Sequence, residues 1–107
     1  MALERYSLVL LRRGPRAHEY AGEELDRLQE AHLAHLGAMR EQGHMLVAGP
    51  FGDQPDETLR GICLYRTDLE ETRRLAEQDP SVQAGRMRVE VLSWYVPEGE
   101  IRFSAAS

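Results

Sequence analysis

Lysine is absent from this chain: all thirteen basic residues are arginine. That excludes Schiff-base chemistry, a pyridoxal phosphate anchor and a lysine-bearing phosphate loop. Cysteine is nearly absent too, with Cys63 alone, so no internal disulfide forms and a reducing compartment suits the chain. No CxxC, HExxH, GxSxG or GxGxxG occurs, which removes the common zinc, serine-hydrolase and dinucleotide signatures. Long apolar runs are missing as well. The longest, Leu8–Leu11, falls far short of the ~20 residues that span a bilayer or the ~7–15 of a signal-peptide core. A cytoplasmic protein with no membrane role is expected.

Acidic residues outnumber basic ones, eighteen to thirteen, for a net charge of −5, and the arginines are scattered. Nucleic acid, whose binding rests on basic side chains neutralising phosphates, is therefore not an expected partner. The 107 residues hold no Pro/Gly-rich or polar linker and fit one domain. A domain of this size has a small core, and pairing with a second copy is a common way to bury more surface.

Helical periodicity is clearest from Glu23 to Gln42, where Leu25, Leu28, Leu36 and Met39 fall on one stripe at about 100° per residue. His32 lies in the middle of that stripe, where the pattern calls for leucine. A buried imidazole without a partner costs roughly 1–3 kcal/mol, so either the core supplies a partner or a cleft does. Gly43 is placed to close this helix in a left-handed conformation.

Around it, Arg5–Leu11 reads as a first strand, Met45–Phe51 as a second and Leu59–Arg66 as a third. Thr67-Asp68 followed by Glu70-Glu71 has a capping pattern for a short helix with Leu69, Thr72, Leu75 and Ala76 on its buried side. Asp79-Pro80 ends that helix. Met87–Val96 is the fourth strand. The order β-α-β-β-α-β predicts an α+β, ferredoxin-like split βαβ arrangement: a four-stranded antiparallel sheet with two helices on one face. Tyr6, Leu8, Val47, Cys63, Val89 and Trp94 supply apolar side chains for both sheet faces, and a second subunit is the natural cover for the open one. Residues 1–96 form the domain. The tail 97–107, with Ile101 and Phe103, is frayed or laid across a neighbouring subunit.

The segment Ala31–Pro50 (AHLAHLGAMREQGHMLVAGP), with Asp79-Pro80 and Ala84-Gly85, resembles the YCII-related (YciI-like) proteins from about Tyr6 to about Val96. The resemblance implies a homodimer joined face to face as an α+β barrel. It also implies a site centred on a histidine of the first helix and an aspartate ahead of proline, here His32 and Asp79. A carboxylate bonded to one ring nitrogen fixes the tautomer and leaves the other nitrogen for acid–base work. Gly49, Pro50 and His35 are the candidates for contacting substrate. The chain departs from the family at Gly61-Ile62, where relatives often have Gly-Ser, so a hydroxyl that could orient substrate is missing.

The plain alternative for His32 is a satisfied core histidine, and for Asp79 a turn carboxylate bonding nearby amides. His35, at i+3 from His32, would suit a shared metal, but no third ligand is placed and no metal is expected. His18 and His44 lie near loops and read as solvated. Cys63 reads as a buried thiol without a cationic neighbour. Trp94 and Tyr95 read as core or interface with a lesser chance of flanking a flat ligand, and Arg12, Arg13 and Arg16 as a surface loop with a lesser chance of binding an anion. The resemblance implies cofactor-independent acid–base chemistry on a small cyclic or aromatic metabolite, of lyase, isomerase or dehydrohalogenase type. The alternatives are a non-catalytic module that binds a small ligand or a protein, and a metal- or haem-dependent oxygenase.

Overall fold

A computed structural model describes residues 1–102. β1 (Leu3–Arg13) leads through a single 3-10 turn at Ala17–Glu19 to α1 (Gly22–Glu41), then β2 (Met45–Pro50) and β3 (Leu59–Tyr65). α2 (Leu69–Ala76), α3 (Pro80–Gln83) and β4 (Met87–Pro97) follow. The strands form one antiparallel sheet in the order β2-β3-β1-β4, the expected split βαβ topology. β1 carries the apolar run Leu8–Leu11 because it is a central strand, paired on both sides. β1 and β4 pair from Leu3↔Pro97 to Arg13↔Met87, so both outrun the segments that apolar patterning marks. Backbone pairing continues where side-chain burial stops.

The strands present two different faces. Val9, Leu11, Cys63 and Tyr65 point toward the helices and pack with Met39, Met45, Leu75 and Ala76 in the main core. On the opposite face Tyr6, Leu64 and Val96 form a second cluster, joined by Leu8, Leu46 and Ile101. Of the residues expected to serve both faces, Cys63 and Val89 belong to the helix side. Tyr6, Leu8, Val47 and Trp94 belong to the bare side by their register with Leu64 and with one another. Val47, Leu92 and Trp94 are there 43–49% exposed, a large apolar area without cover from the described residues. Ile101 lies back on its own sheet. Phe103 lies outside the described residues.

Local sequence sets the helix ends. α1 stops at a left-handed Gly43 (φ 82°), with the His44 amide donating to the Met39 carbonyl and the Gly43 amide to that of Arg40. That six-to-one and five-to-two pattern satisfies carbonyls a helix end would otherwise leave unpaired. α2 starts at Asp68, whose carboxylate accepts from the Glu71 amide at 2.8 Å. α2 already ends at Ala76, with Glu77 as its C-cap, so Asp79-Pro80 does not itself end that helix but begins another. Asp79 is the N-cap of α3 and Pro80 its first residue, where a missing amide hydrogen is no loss.

Candidate active site

His32 and Asp79, forty-seven residues apart in sequence, meet in the interior, with Nδ1 of the ring 2.5 Å from Oδ2 of the carboxylate. They are 5% and 2% exposed. Asp79 uses its second oxygen, Oδ1, to accept the Ser81 amide at 2.9 Å and so cap α3. The Ser81 hydroxyl donates to the Leu28 carbonyl at 3.2 Å, tying α3 to α1 one turn before His32. With Asp79 ionised it can only accept, so Nδ1 carries the hydrogen and the lone pair of Nε2 is free. Neither partner stands alone in the interior, where an unpaired charge is strongly destabilising.

Beside the pair lies a cleft of about 740 Å³ between α1 and the helix-side face of the sheet. His32, Leu25, Leu33 and Leu36 line one wall, and Ala48, Gly49, Pro50 and Gly61 line the other. The apolar stripe of α1 is therefore divided. Met39 goes to the core, Leu28 sits at the junction with α3, and Leu25 and Leu36 border open space beside His32. Of the two fates open to a histidine on that stripe, this one has both: a buried partner at Nδ1 and a cleft at its side. Gly61 keeps β2 and β3 close, since a Cβ there would come within 2.6 Å of the Gly49 carbonyl oxygen. Ile62, the point of departure from the family, faces away from the cleft, as alternation between Gly61 and Cys63 requires. A hydroxyl at that position would lie on the bare side of the sheet.

Gly49 and Pro50 line the cleft as expected, and His35 does not. Its Nε2 is sealed and unpartnered beside a separate void of about 10 Å³ bounded by Val9, Cys63, Tyr65 and Asp79. His32 and His35 thus face different spaces, and among the described residues no three His, Cys, Asp or Glu side chains gather as a metal site. His18, read as a solvated loop residue, borders the cleft. Burial pushes the Cys63 thiol up to about 12, with nearby Asp79 adding to the rise. Burial likewise pushes the Tyr65 hydroxyl up. Both stay protonated at neutral pH and are poor nucleophiles. Neither Trp94 nor Tyr95 borders the cleft.

Sequence reasoning missed most of the cleft's polar lining. Arg13, Arg40, Arg60 and Arg86 all border it, from four separate segments. Of the loop arginines singled out earlier, Arg12 instead pairs with Glu90 at 2.6 Å and Asp56 at 3.0 Å, and Arg16 pairs with Glu19. Tyr20, another cleft residue, donates its hydroxyl to the Ala84 carbonyl at 2.6 Å. The only signal available was the count of arginines without a local acidic neighbour, and that does not show which of them converge.

The sequence pattern of the YCII-related domain matches residues 7–95. The chain belongs to the YCII-related family. The YCII-related fold seen here is also that of 5-chloro-2-hydroxyhydroquinone dehydrochlorinase from Burkholderia phenoliruptrix AC1100, solved in complex with 2,5-dihydroxybenzoquinone. The two share 20% identity and superpose with a TM-score of 0.58 over 89% of this chain and 96% of the other. At that identity the likeness speaks for the fold. No protein of curated function matches this YCII-related sequence. No helix among its described residues is long and apolar enough to cross a membrane.

Proposed function

We propose that this YCII-related protein is a small acid–base enzyme acting on hydroxylated ring compounds, with His32 as the proton carrier and Asp79 as the residue that orients it. The observation that carries the reading is the buried Nδ1–carboxylate hydrogen bond on a ring that borders a cleft of ligand size. Fixing Nδ1 aims one basic atom and stabilises the imidazolium that forms when it takes a proton. Gly49 and Pro50 present backbone to the ligand. His35, away from the cleft, is not part of the machinery.

Elimination of HX from a halogenated hydroxyhydroquinone fits this equipment, and the dehydrochlorinase with the same fold supports it. His32 moves a proton from a ring hydroxyl to the carbon bearing the leaving group. It then takes a second hydroxyl proton as the bond to X breaks and a quinone carbonyl forms. The ring loses H⁺ and X⁻, and no external oxidant, metal or cofactor is required. The active unit is a homodimer joined through the bare sheet face, and Cys63, a free thiol, suits the cytoplasm.

Chloride release from 5-chloro-2-hydroxyhydroquinone and related chlorinated rings tests the proposal. A rate above the uncatalysed one is expected, falling by roughly a hundredfold or more in His32→Gln. If no halogenated ring in such a panel turns over faster than in buffer, or if His32→Gln is as active as the native protein, the enzymatic reading fails and a ligand-binding module remains.

A further inference from the structure

In a protein of net charge −5, the cleft has the opposite sign. Arg13, Arg40, Arg60 and Arg86 border it, and among the described residues no Asp or Glu does. The arginines held in ion pairs, Arg12, Arg16, Arg27, Arg74 and Arg88, all lie outside it. None of the four cleft arginines forms an ion pair among the described residues. Three are exposed, whereas Arg86 is half-buried and braced by a hydrogen bond from Nη1 to the Ser81 hydroxyl at 3.2 Å.

Burial lowers the pKa of the Arg86 guanidinium below its ordinary value, and the positive charge of Arg60 lowers it further against the pull of Asp79. Arg60 and Arg86 therefore repel each other within reach of His32's partner. Like charges gathered in a concave, partly desolvated site carry a standing electrostatic cost, which a bound anion relieves. The guanidinium fork matches a planar or tetrahedral group of oxygens and holds it by charge-assisted bonds.

We infer that the cleft takes an organic oxyanion, a ring compound whose negatively charged oxygen group is held by Arg60 and Arg86 while the ring lies beside His32. The inference builds on the acid–base reading for what happens to the bound molecule, but binding alone tests it. The same chain of contacts gives Arg86 a second task. Through Ser81, whose amide caps onto Asp79, it links the anion site to the carboxylate that orients His32.

Calorimetric titration of the full chain with 2,5-dihydroxybenzoate and with its uncharged isostere 2,5-dihydroxybenzamide is the test. The acid is expected to bind at least tenfold more tightly than the amide. Arg60→Gln is expected to weaken the acid by roughly ten- to a hundredfold while leaving the amide unchanged. Phenyl phosphate separates the two sources of the oxyanion: if it outcompetes the benzoate the natural group is a phosphate ester, and if it does not the group is a carboxylate. Should Arg86→Gln fold poorly because its brace to Ser81 is gone, Arg60→Gln carries the test, since its side chain bonds to no described residue. Equal affinity for acid and amide, no effect of Arg60→Gln, or no binding of either compound at millimolar concentration overturns the inference. His32→Gln should still bind the acid. Anion binding without turnover therefore sinks only the acid–base reading, and turnover without anion preference sinks only this one.

Discussion

Asp79 uses both carboxylate oxygens for protein contacts, one for the His32 ring and one for the Ser81 amide. Asn in its place preserves the helix cap but removes the negative charge that selects the imidazole tautomer. In Asp79→Asn the ring resonances of His32 should therefore change tautomer pattern, read by ¹⁵N–¹H correlation spectra, while those of His18 and His44 stay as they are. An unmoved His32 would leave the pairing without consequence in solution. At this scale the sequence was informative about one partner and less so about the other. His32 stood out because it broke an apolar stripe. Asp79 has the composition of an ordinary turn residue, and nothing local distinguishes a carboxylate that caps a helix from one that also orients a distant ring.

Gly61 shows how two elements set the shape of the cleft. A Cβ at this position would meet the Gly49 carbonyl oxygen at 2.6 Å and the Pro50 Cα at 3.1 Å, both backbone atoms that cannot swing aside. Gly61→Ala should spread β2 from β3 and cost about 1–3 kcal/mol, seen as a lower urea midpoint with unchanged slope, and ligand affinity should fall with it. Elements were legible wherever the signal was local. The α1 stop at Gly43 and the α2 start at Asp68 are written in single residues. The bulge in β2 was not legible. Between Met45 and Val47 the pairing slips by one residue, which sends Leu46 to the bare face with Val47 and returns Ala48 to the helix side. Alternation along an isolated strand cannot reveal such a slip, because it is defined by the partner strand. α3 was missed for a different reason. Asp-Pro is a stop signal for the residues before it and a start signal for those after, and local pattern does not say which of the two a given pair serves.

At the scale of the whole molecule, Cys63 and Tyr65 lie side by side in the core with their protons retained by burial. In the unfolded chain a thiol ionises near its ordinary value of 9.0, whereas the folded one holds its proton to about 12. The folded state thus binds the proton more tightly. The thiol's contribution to stability is fully present below pH 9 and is lost between pH 9 and about 12, by up to roughly 1.4 kcal/mol per pH unit. Urea titrations across that range should show a falling midpoint, and Cys63 should react with a thiol reagent at pH 8 only as fast as the protein unfolds. Cys63→Ser flattening none of this decline would assign it elsewhere. The bare sheet face makes its own prediction. Val47, Leu92 and Trp94 form an apolar area of the kind that pairs with its own copy. On the proposed homodimer, the native protein is expected to sediment as a dimer at micromolar concentration and Leu92→Arg as a folded monomer; a native monomer would remove this role for the face.

The sequence by itself determined the order of the four strands and the two longer helices, the α1 stop at Gly43 and the α2 start at Asp68, the absence of lysine chemistry and the residue His32, because each depends on local pattern or on counting. The pairing of Asp79 with His32 was implied by the family resemblance, while tertiary structure alone decided that the two side chains meet at hydrogen-bond distance in the interior, that His35 faces a separate void, and that four arginines from four segments converge on one cleft. Those outcomes depend on which faces the sheet register and the crossing of α1 bring together, and long-range packing fixes that only when the chain closes on itself.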